Sequence, residues 1–134
     1  MLVPMTPAMW QRLEGGALAV FSMVGAIALR AWWWPLALFL AFDLSALGYV
    51  RGTRAGAFGY NLVHSYWGPA LLGAWAVAVA VWGAPGDTGW ILIVASSWLF
   101  HVGVDRALGY GLKLDDSFQH THLGWIGKGG RDPH

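Results

Sequence analysis

The sequence predicts an all-α integral membrane protein, a four-transmembrane-helix antiparallel bundle that forms a single domain over residues 1–134. Composition is the first reason, because 57% of the residues are hydrophobic and 11% are charged, whereas a soluble domain carries roughly 25% charged residues. The second reason is the presence of four apolar segments, each near the ~20 residues that a helix needs to cross a bilayer. Short connections between such helices favour antiparallel neighbours.

Turn signals separate the four predicted helices. The helices cover about residues 13–29, 34–50, 57–81 and 88–108, and a polar, glycine-rich tail over residues 111–134 is predicted to be loop. Three consecutive tryptophans before Pro35 indicate an interfacial belt followed by a helix start. The stretch from Arg51 to Arg54 forms the turn before the third helix, and Gly83–Asp87 forms the turn before the fourth. The first segment superficially resembles a cleaved signal peptide, but we expect it to be a retained transmembrane helix.

The distribution of basic residues predicts the orientation. One side of a four-pass arrangement carries Arg12, Arg51, Arg54, Arg106, Lys113, Lys128 and Arg131, and the other side carries Arg30 and Asp87. By the positive-inside rule, both termini are predicted to be cytoplasmic, in what we expect to be a bacterial inner membrane.

Several classes of function are excluded by composition. The chain has no cysteine, so disulfides, thiolate metal sites and cysteine nucleophiles are ruled out. The net charge is +1 and the basic residues are scattered, so no nucleic-acid partner is predicted. The sequence shows neither a phosphate-binding glycine loop nor a Gly-x-Ser-x-Gly nucleophile motif. The expected partners are the lipid bilayer and, in one hypothesis below, other membrane-protein subunits.

Ionisable side chains in or beside the apolar segments predict a metal site. An ionisable group at membrane depth is expensive and is read first as a functional site with a partner. Asp43 lies eight residues before Arg51, which at about 1.5 Å per residue places it roughly 12 Å inside the cytoplasmic boundary. Similar counting brings the other candidates to the same depth. The predicted ligands are Asp43, His64, His101 and Asp105, with His120 and His122 folding back from the tail.

The residue types suit a divalent cation such as Zn, Mn or Fe. His101 and Asp105 stand four residues apart, so they share one helix face, as do the two histidines of the zinc motif H-E-x-x-H. Six candidates exceed the needs of one ion, which allows a two-metal site or ligands plus an acid/base group. Tyr60 and Asn61 are predicted partners that fix the tautomer of the His64 ring.

Structural alternatives stay open for each residue. His101 and Asp105 would hydrogen-bond each other, Asp105 would pair with an arginine, or His64 would be a satisfied core histidine. Asp43 would pair with Arg106, or accept hydrogen bonds from Ser45 and a tyrosine. A haem held by His64 and His101 is disfavoured, because carboxylates at the same level suit a harder cation.

Several motifs carry a family resemblance that covers about residues 13–127. They are Asp43-Leu-Ser-Ala-Leu-Gly-Tyr49, Tyr60-Asn-x-x-His64, His101-x-Gly-x-Asp105-Arg-x-x-Gly-Tyr-Gly-Leu-Lys113 and Thr121-His-Leu-Gly124. The chain thereby resembles an uncharacterised bacterial family of four-helix integral membrane proteins, catalogued as a domain of unknown function. The His-x-x-x-Asp pair on a membrane helix also resembles membrane-bound metal-dependent hydrolases, which implies metal chemistry by analogy.

Two hypotheses of function follow. The first is a metal-dependent membrane hydrolase that acts on a lipid-like or membrane-proximal substrate. The second is an accessory subunit of a larger membrane complex, respiratory or photosynthetic, in which the polar residues form a structural network and a partner holds the glycine-rich tail. A proton path is disfavoured, because the outer halves of the helices are uniformly apolar.

Overall fold

The computed structural model describes residues 4–127, which form a helical bundle followed by a short hairpin. Two of the predicted helices are divided into shorter pieces. The helices are α1 (Pro7–Ala28), α2 (Trp33–Ala37), α3 (Phe39–Asp43), a 3₁₀ helix (Leu44–Arg51), α4 (Thr53–Val63), α5 (Trp67–Trp82) and α6 (Thr88–Leu108).

Three of these stretches are long and apolar enough to span a membrane: Trp33–Arg51, Thr53–Trp82 and Thr88–Leu108. The first predicted span forms as α1, a helix of 22 residues, but it is not among those three. It carries Arg12 and Glu14, which lower its mean hydropathy. The prediction of apolar spanning helices is therefore confirmed for three segments, and the fourth span stays a prediction.

The ends of α1 and α6 follow ordinary capping chemistry. The Thr6 hydroxyl accepts a hydrogen bond from the Met9 amide, and Pro7 occupies the first turn. This cap starts α1 earlier than residue 13, because hydropathy marks where apolar residues begin rather than where the helix begins. The Asp87 carboxylate caps α6 in the same way, and Gly109 ends it in the left-handed conformation, φ 97°.

Helix α6 lies at the centre of the bundle and packs against α1, α5, α2 and α3. Its crossing with α1 is close because glycine backbone meets glycine backbone. A Cβ atom on Gly103 would lie 2.7 Å from the Gly15 carbonyl oxygen and 2.8 Å from the Ala19 nitrogen. The contact is the close approach that small residues permit between membrane helices.

The third predicted helix is interrupted after Val63, which separates α4 from α5. An interruption frees backbone carbonyls, and inside a membrane these need donors. Three side chains supply them: Trp67 donates to the Leu62 carbonyl, Trp98 to that of Val63, and Arg106 to that of His64. The break is thus stabilised by its neighbours, and it places His64 at the end of α4 with its ring turned into the bundle.

The outer surface is strongly apolar. Large side chains point away from the bundle along every span, including Val50 at 86% exposed, Leu40 at 74% and Phe58 at 70%. The fully buried residues are mostly small. This inversion of the soluble pattern fits helices that contact lipid.

The tail contains a short antiparallel hairpin, so the prediction of loop throughout was wrong. Strand β1 (His120–Thr121) pairs with β2 (Gly124–Trp125), and Lys113 forms an isolated bridge with Thr121. Gly124 has φ 115°, which a side chain would oppose. Lys128, Arg131 and the remainder of the tail to His134 lie outside the described residues.

Candidate metal centre

Four of the six predicted ligands converge on one point inside the bundle. Asp43, His64, His101 and Asp105 each offer an atom, and these atoms all lie within 4.8 Å of one another. They come from the end of α3, the end of α4 and two successive turns of α6. Such a group could hold a metal ion.

The distances from the two nitrogens to the two oxygens are close to those between ligands of one small divalent cation. The two Nε2 atoms of His64 and His101 are 2.9 Å apart. The four distances from these nitrogens to the carboxylate oxygens Asp43 Oδ1 and Asp105 Oδ2 are 3.3, 3.4, 3.5 and 3.6 Å. A regular tetrahedron with bonds of about 2.0–2.1 Å, as zinc forms with nitrogen and oxygen, has edges of about 3.3–3.4 Å. The four nitrogen–oxygen edges are therefore close to those of a tetrahedral site, whereas the edge between the two nitrogens is shorter.

The tautomer of His64 leaves a lone pair on the atom that faces this point. Its Nδ1 lies 3.0 Å from the backbone carbonyl oxygen of Tyr60, which can only accept, and 3.4 Å from the Ser45 hydroxyl. Nδ1 therefore carries the proton, and Nε2 is free to bind a cation. Metal-binding histidines usually donate their other ring N–H to a carbonyl or carboxylate in this manner. The Tyr60 ring also stacks on the imidazole, with centroids 3.6 Å apart.

His101 is fully buried and held by aromatic side chains. Its ring lies 4.6 Å from that of Phe39 and 5.4 Å from that of Phe42. Its Nδ1 has no hydrogen-bond partner among residues 4–127. The packing leaves Nε2 as the polar atom that the ring directs toward His64 and the two carboxylates.

Acceptors outnumber donors at the centre. Two carboxylate oxygens and the His64 Nε2 lone pair face one another, against two donors: Tyr60 Oη, 3.4 Å from Asp105 Oδ2, and His101 Nε2–H, 2.9 Å from His64 Nε2. Lone pairs held this close repel unless a cation or added protons lie between them. A divalent ion satisfies all of them at once.

The structure also bears on the predicted alternatives to a metal site, namely ion pairs with an arginine and a simple His101–Asp105 pair. Arg106 is buried, but its guanidinium donates to the backbone carbonyls of His64 and Tyr110 rather than to a carboxylate. Within the described residues, neither Asp43 nor Asp105 forms an ion pair with an arginine. His101 and Asp105 do lie within 3.6 Å of each other, but as two members of a group of four.

The centre opens to one side through Asp43, whose side chain is 45% exposed, against 14% for Asp105. Beside this opening lies a cavity of about 400 Å³. Its polar lining includes both carboxylates, Tyr60 and Lys113, and its apolar lining comprises Phe39, Ala46, Leu108, Phe118 and Ile126. A reagent that enters the cavity thus meets the carboxylates first, while the histidines stay behind them.

Lys113 was not among the predicted site residues. Its backbone N–H donates to Asn61 Oδ1 at 2.7 Å, and Asn61 Nδ2 donates to its carbonyl at 2.9 Å. Asn61 therefore positions Lys113 rather than the His64 ring. Burial lowers the pKa of the Lys113 ammonium, and the negative charge of Asp105 opposes this effect. In the sequence, Tyr60 and Asn61 stood out as polar residues near His64. The sequence could not show that Asn61 bonds Lys113, which lies 52 residues further along the chain.

The structure does not bring His120 and His122 to the centre. His120 Nδ1 donates to Asp116 Oδ2 at 2.7 Å, which lowers the pKa of that carboxyl. His122 Nδ1 accepts from the Leu112 amide, and Nε2 donates to Gln11 Oε1 at 2.7 Å. Burial, with a smaller effect of the Arg106 charge, lowers the pKa of His122. The bond from His122 to Gln11 fastens the tail to α1, and the other two bonds lie within the tail.

Fold and site together define a helical protein with helices long and apolar enough to span a membrane and a group of two buried histidines and two aspartates. The chain belongs to the family described as a domain of unknown function (DUF4260), whose profile matches residues 8–126. This confirms the resemblance to an uncharacterised family. No curated protein and no solved structure matches the chain.

Proposed function

We propose that this protein is a metal-dependent membrane hydrolase whose single divalent ion is held by Asp43, His64, His101 and Asp105. The observation that carries the proposal is the convergence of two imidazole nitrogens and two carboxylate oxygens, all within 4.8 Å of one another and with nitrogen–oxygen distances of 3.3–3.6 Å. Two nitrogens and two oxygens suit Zn, Mn or Fe. If Asp43 gave up its place to water, an ion at this position would lower the pKa of that water toward ~7, which would supply a nucleophile at neutral pH.

The residues around the ion have distinct roles in this proposal. His64 and His101 are buried and anchor the ion, whereas Asp43 faces the cavity. Asp43 is therefore the ligand that can yield its place to a substrate oxygen or accept a proton from the attacking water. Tyr60, which donates to Asp105, keeps that carboxylate oriented.

We also propose that α1 is a fourth span and that both termini are cytoplasmic. A helix of 22 residues is about 33 Å long, close to the thickness of the hydrocarbon core. Arg12 Nε donates to the Ala107 carbonyl at 2.9 Å, so α1 begins beside the end of α6. Arg12, Arg106 and Lys113 then share one side, which the positive-inside rule assigns to the cytoplasm.

The first test is the metal content of the purified untagged protein, measured by mass spectrometry. We expect about one equivalent of Zn, Mn or Fe in the wild type and its loss in Asp43→Asn/His101→Gln. The matched control is His120→Gln, a histidine change outside the group. A wild type that stays metal-free after supplementation, with its helical circular dichroism intact, would refute the proposal and favour the accessory-subunit hypothesis.

The hydrolase assignment needs a second measurement on the metal-loaded protein. We expect chelation to abolish hydrolysis of an amphiphilic ester and Asp43→Asn to lower kcat. Undiminished hydrolysis by the metal-free protein would show that the activity does not depend on this centre.

A further inference from the structure

We propose that the cavity beside Asp43 binds a phosphate monoester group, with Lys113 as its cationic partner opposite the metal centre. This inference rests on the proposed function and names the substrate class of the same site. It is argued from an unpaired buried ammonium, from the charge of the cavity and from the shape of its walls.

Lys113 is 3% exposed, and lysines this buried are normally paired with an acid. In the part of the chain from residue 4 to residue 127, no carboxylate lies within 4.0 Å of its Nζ. Nζ instead lies 4.0 Å from the centroid of the Phe118 ring and 4.8 Å from that of Tyr60. The rings hold the ammonium in place but leave it free to donate hydrogen bonds to a ligand.

The position of Lys113 is set by its backbone. The side-chain amide of Asn61 bonds both the N–H and the carbonyl of this residue, and the bridge to Thr121 holds it from the other side. Both neighbours are fixed, Asn61 by α4 and Thr121 by the hairpin. The ammonium is thus preorganised at the cavity wall, which reduces the entropy lost on binding a ligand.

The charge of the cavity favours an anion only when the centre holds its metal. Asp43, Asp105 and Lys113 sum to a formal charge of −1, which repels anions. A divalent ion changes the sum to +1. A phosphate group placed between the ion and Lys113 would meet a cation at each end, as phosphates commonly do in proteins. Binding of phosphate should therefore require both the metal and Lys113.

The rest of the cavity suits the organic part of a monoester. Its volume of about 400 Å³ lies in the range of small-molecule sites, about 300–1,000 Å³. Leu108, 63% exposed at the end of α6, and Ile126 of the tail extend the apolar lining outward. In the hydrolysis, water oxygen forms a bond to phosphorus, the ester P–O bond breaks, and the departing alkoxide takes a proton, so that alcohol and inorganic phosphate result.

The test is calorimetric titration of the metal-loaded protein in a neutral maltoside detergent, with decyl phosphate and with inorganic phosphate as probes. The variants are Lys113→Met, Lys113→Arg and the control Arg54→Met, which removes an exposed basic residue outside the cavity lining. We expect saturable binding of decyl phosphate to the wild type and to Arg54→Met. Lys113→Met should weaken this binding about tenfold or more, and Lys113→Arg should restore most of it.

Competition identifies the source of the phosphate. Displacement of decyl phosphate by comparable concentrations of inorganic phosphate supports a soluble ligand, and weak displacement supports a membrane amphiphile. Equal affinity of the wild type and a folded, metal-loaded Lys113→Met would overturn the inference.

The metal content of the same samples separates the two proposals. A metal-loaded wild type that binds neither probe refutes the phosphate site alone. A wild type that takes up no metal refutes the proposed function.

Discussion

Replacing Gly103 by alanine tests whether the crossing of α1 and α6 determines the positions of His101 and Asp105, two of the proposed metal ligands. The new Cβ would lie 2.7 Å from the Gly15 carbonyl oxygen and 2.8 Å from the Ala19 nitrogen. Ordinary contact begins near 3.4 Å, so the two backbones must part by roughly 0.7 Å. Forced repacking of this kind costs about 1–3 kcal/mol.

The substitution also brings a gain that has to be separated from the clash. Alanine stabilises a helix interior by about 1 kcal/mol relative to glycine, so the expected net destabilisation is about 0–2 kcal/mol. Gly73 in α5 is the matched control, because a Cβ built there meets nothing within 4 Å. Gly73→Ala should therefore be stabilising by about 1 kcal/mol, and the difference between the two variants isolates the clash.

Unfolding by titration with dodecyl sulfate, followed by circular dichroism, measures both variants. We expect Gly103→Ala to be less stable than Gly73→Ala by about 1–3 kcal/mol. His101 and Asp105 flank Gly103 on α6, and metal sites tolerate displacements of about 0.2 Å. The Gly103 variant should therefore also retain less metal. Equal stability and equal metal content in the two variants would refute the close crossing.

Three further predictions concern the surroundings of the centre. Arg106→Met strips two backbone carbonyls of their donor and should lower the free energy of unfolding by about 1–3 kcal/mol; dodecyl sulfate titration checks this, and wild-type stability would contradict it. Asn61→Ala removes two hydrogen bonds to Lys113 and should lower the free energy of unfolding by a similar amount. Amide exchange should become faster at Lys113 and stay unchanged in α1, which would show that the effect is local. Because the pKa of His122 is lowered from 6.5 in the folded protein, its hydrogen bond from the Leu112 amide should persist above about pH 6.5 and weaken as the pH falls below that value. Exchange protection of this amide should therefore be retained at pH 6.5 and above and be lost only as the pH falls further, and a loss of protection already above pH 6.5 would contradict the role of His122.

Counting residues predicted the depth of the candidate ligands, but it could not predict the direction in which each side chain points. Counted from the basic residues that flank each segment, three candidates were predicted to lie at one level: Asp43, His64 and His101. The structure brings these three residues together with Asp105. His120 and His122 were predicted to fold back from the tail over the same opening. The sequence could not show that hydrogen bonds to Asp116 and Gln11 would engage them elsewhere.

The breaks within the second and third predicted helices lay beyond an analysis of hydropathy. A continuous apolar stretch predicts one helix, because hydropathy reports the solvent around the side chains and not the path of the backbone. The interruption near His64 exists because Trp67, Trp98 and Arg106 donate to the carbonyls that it frees. Two of these donors lie on α6, more than thirty residues away along the chain.

The amino-acid sequence alone therefore determined the helical class, the apolar spans and a set of six side chains suited to hold a cation. These depend on composition, on periodicity and on the energetic penalty of an ionisable group in an apolar segment. Only the tertiary structure decided that four of these side chains face one point, that Lys113 lines the cavity beside them and that His122 bonds Gln11 of α1 instead. Each of these features depends on the rotation of one helix about its axis relative to another, which long-range packing sets and no local pattern records.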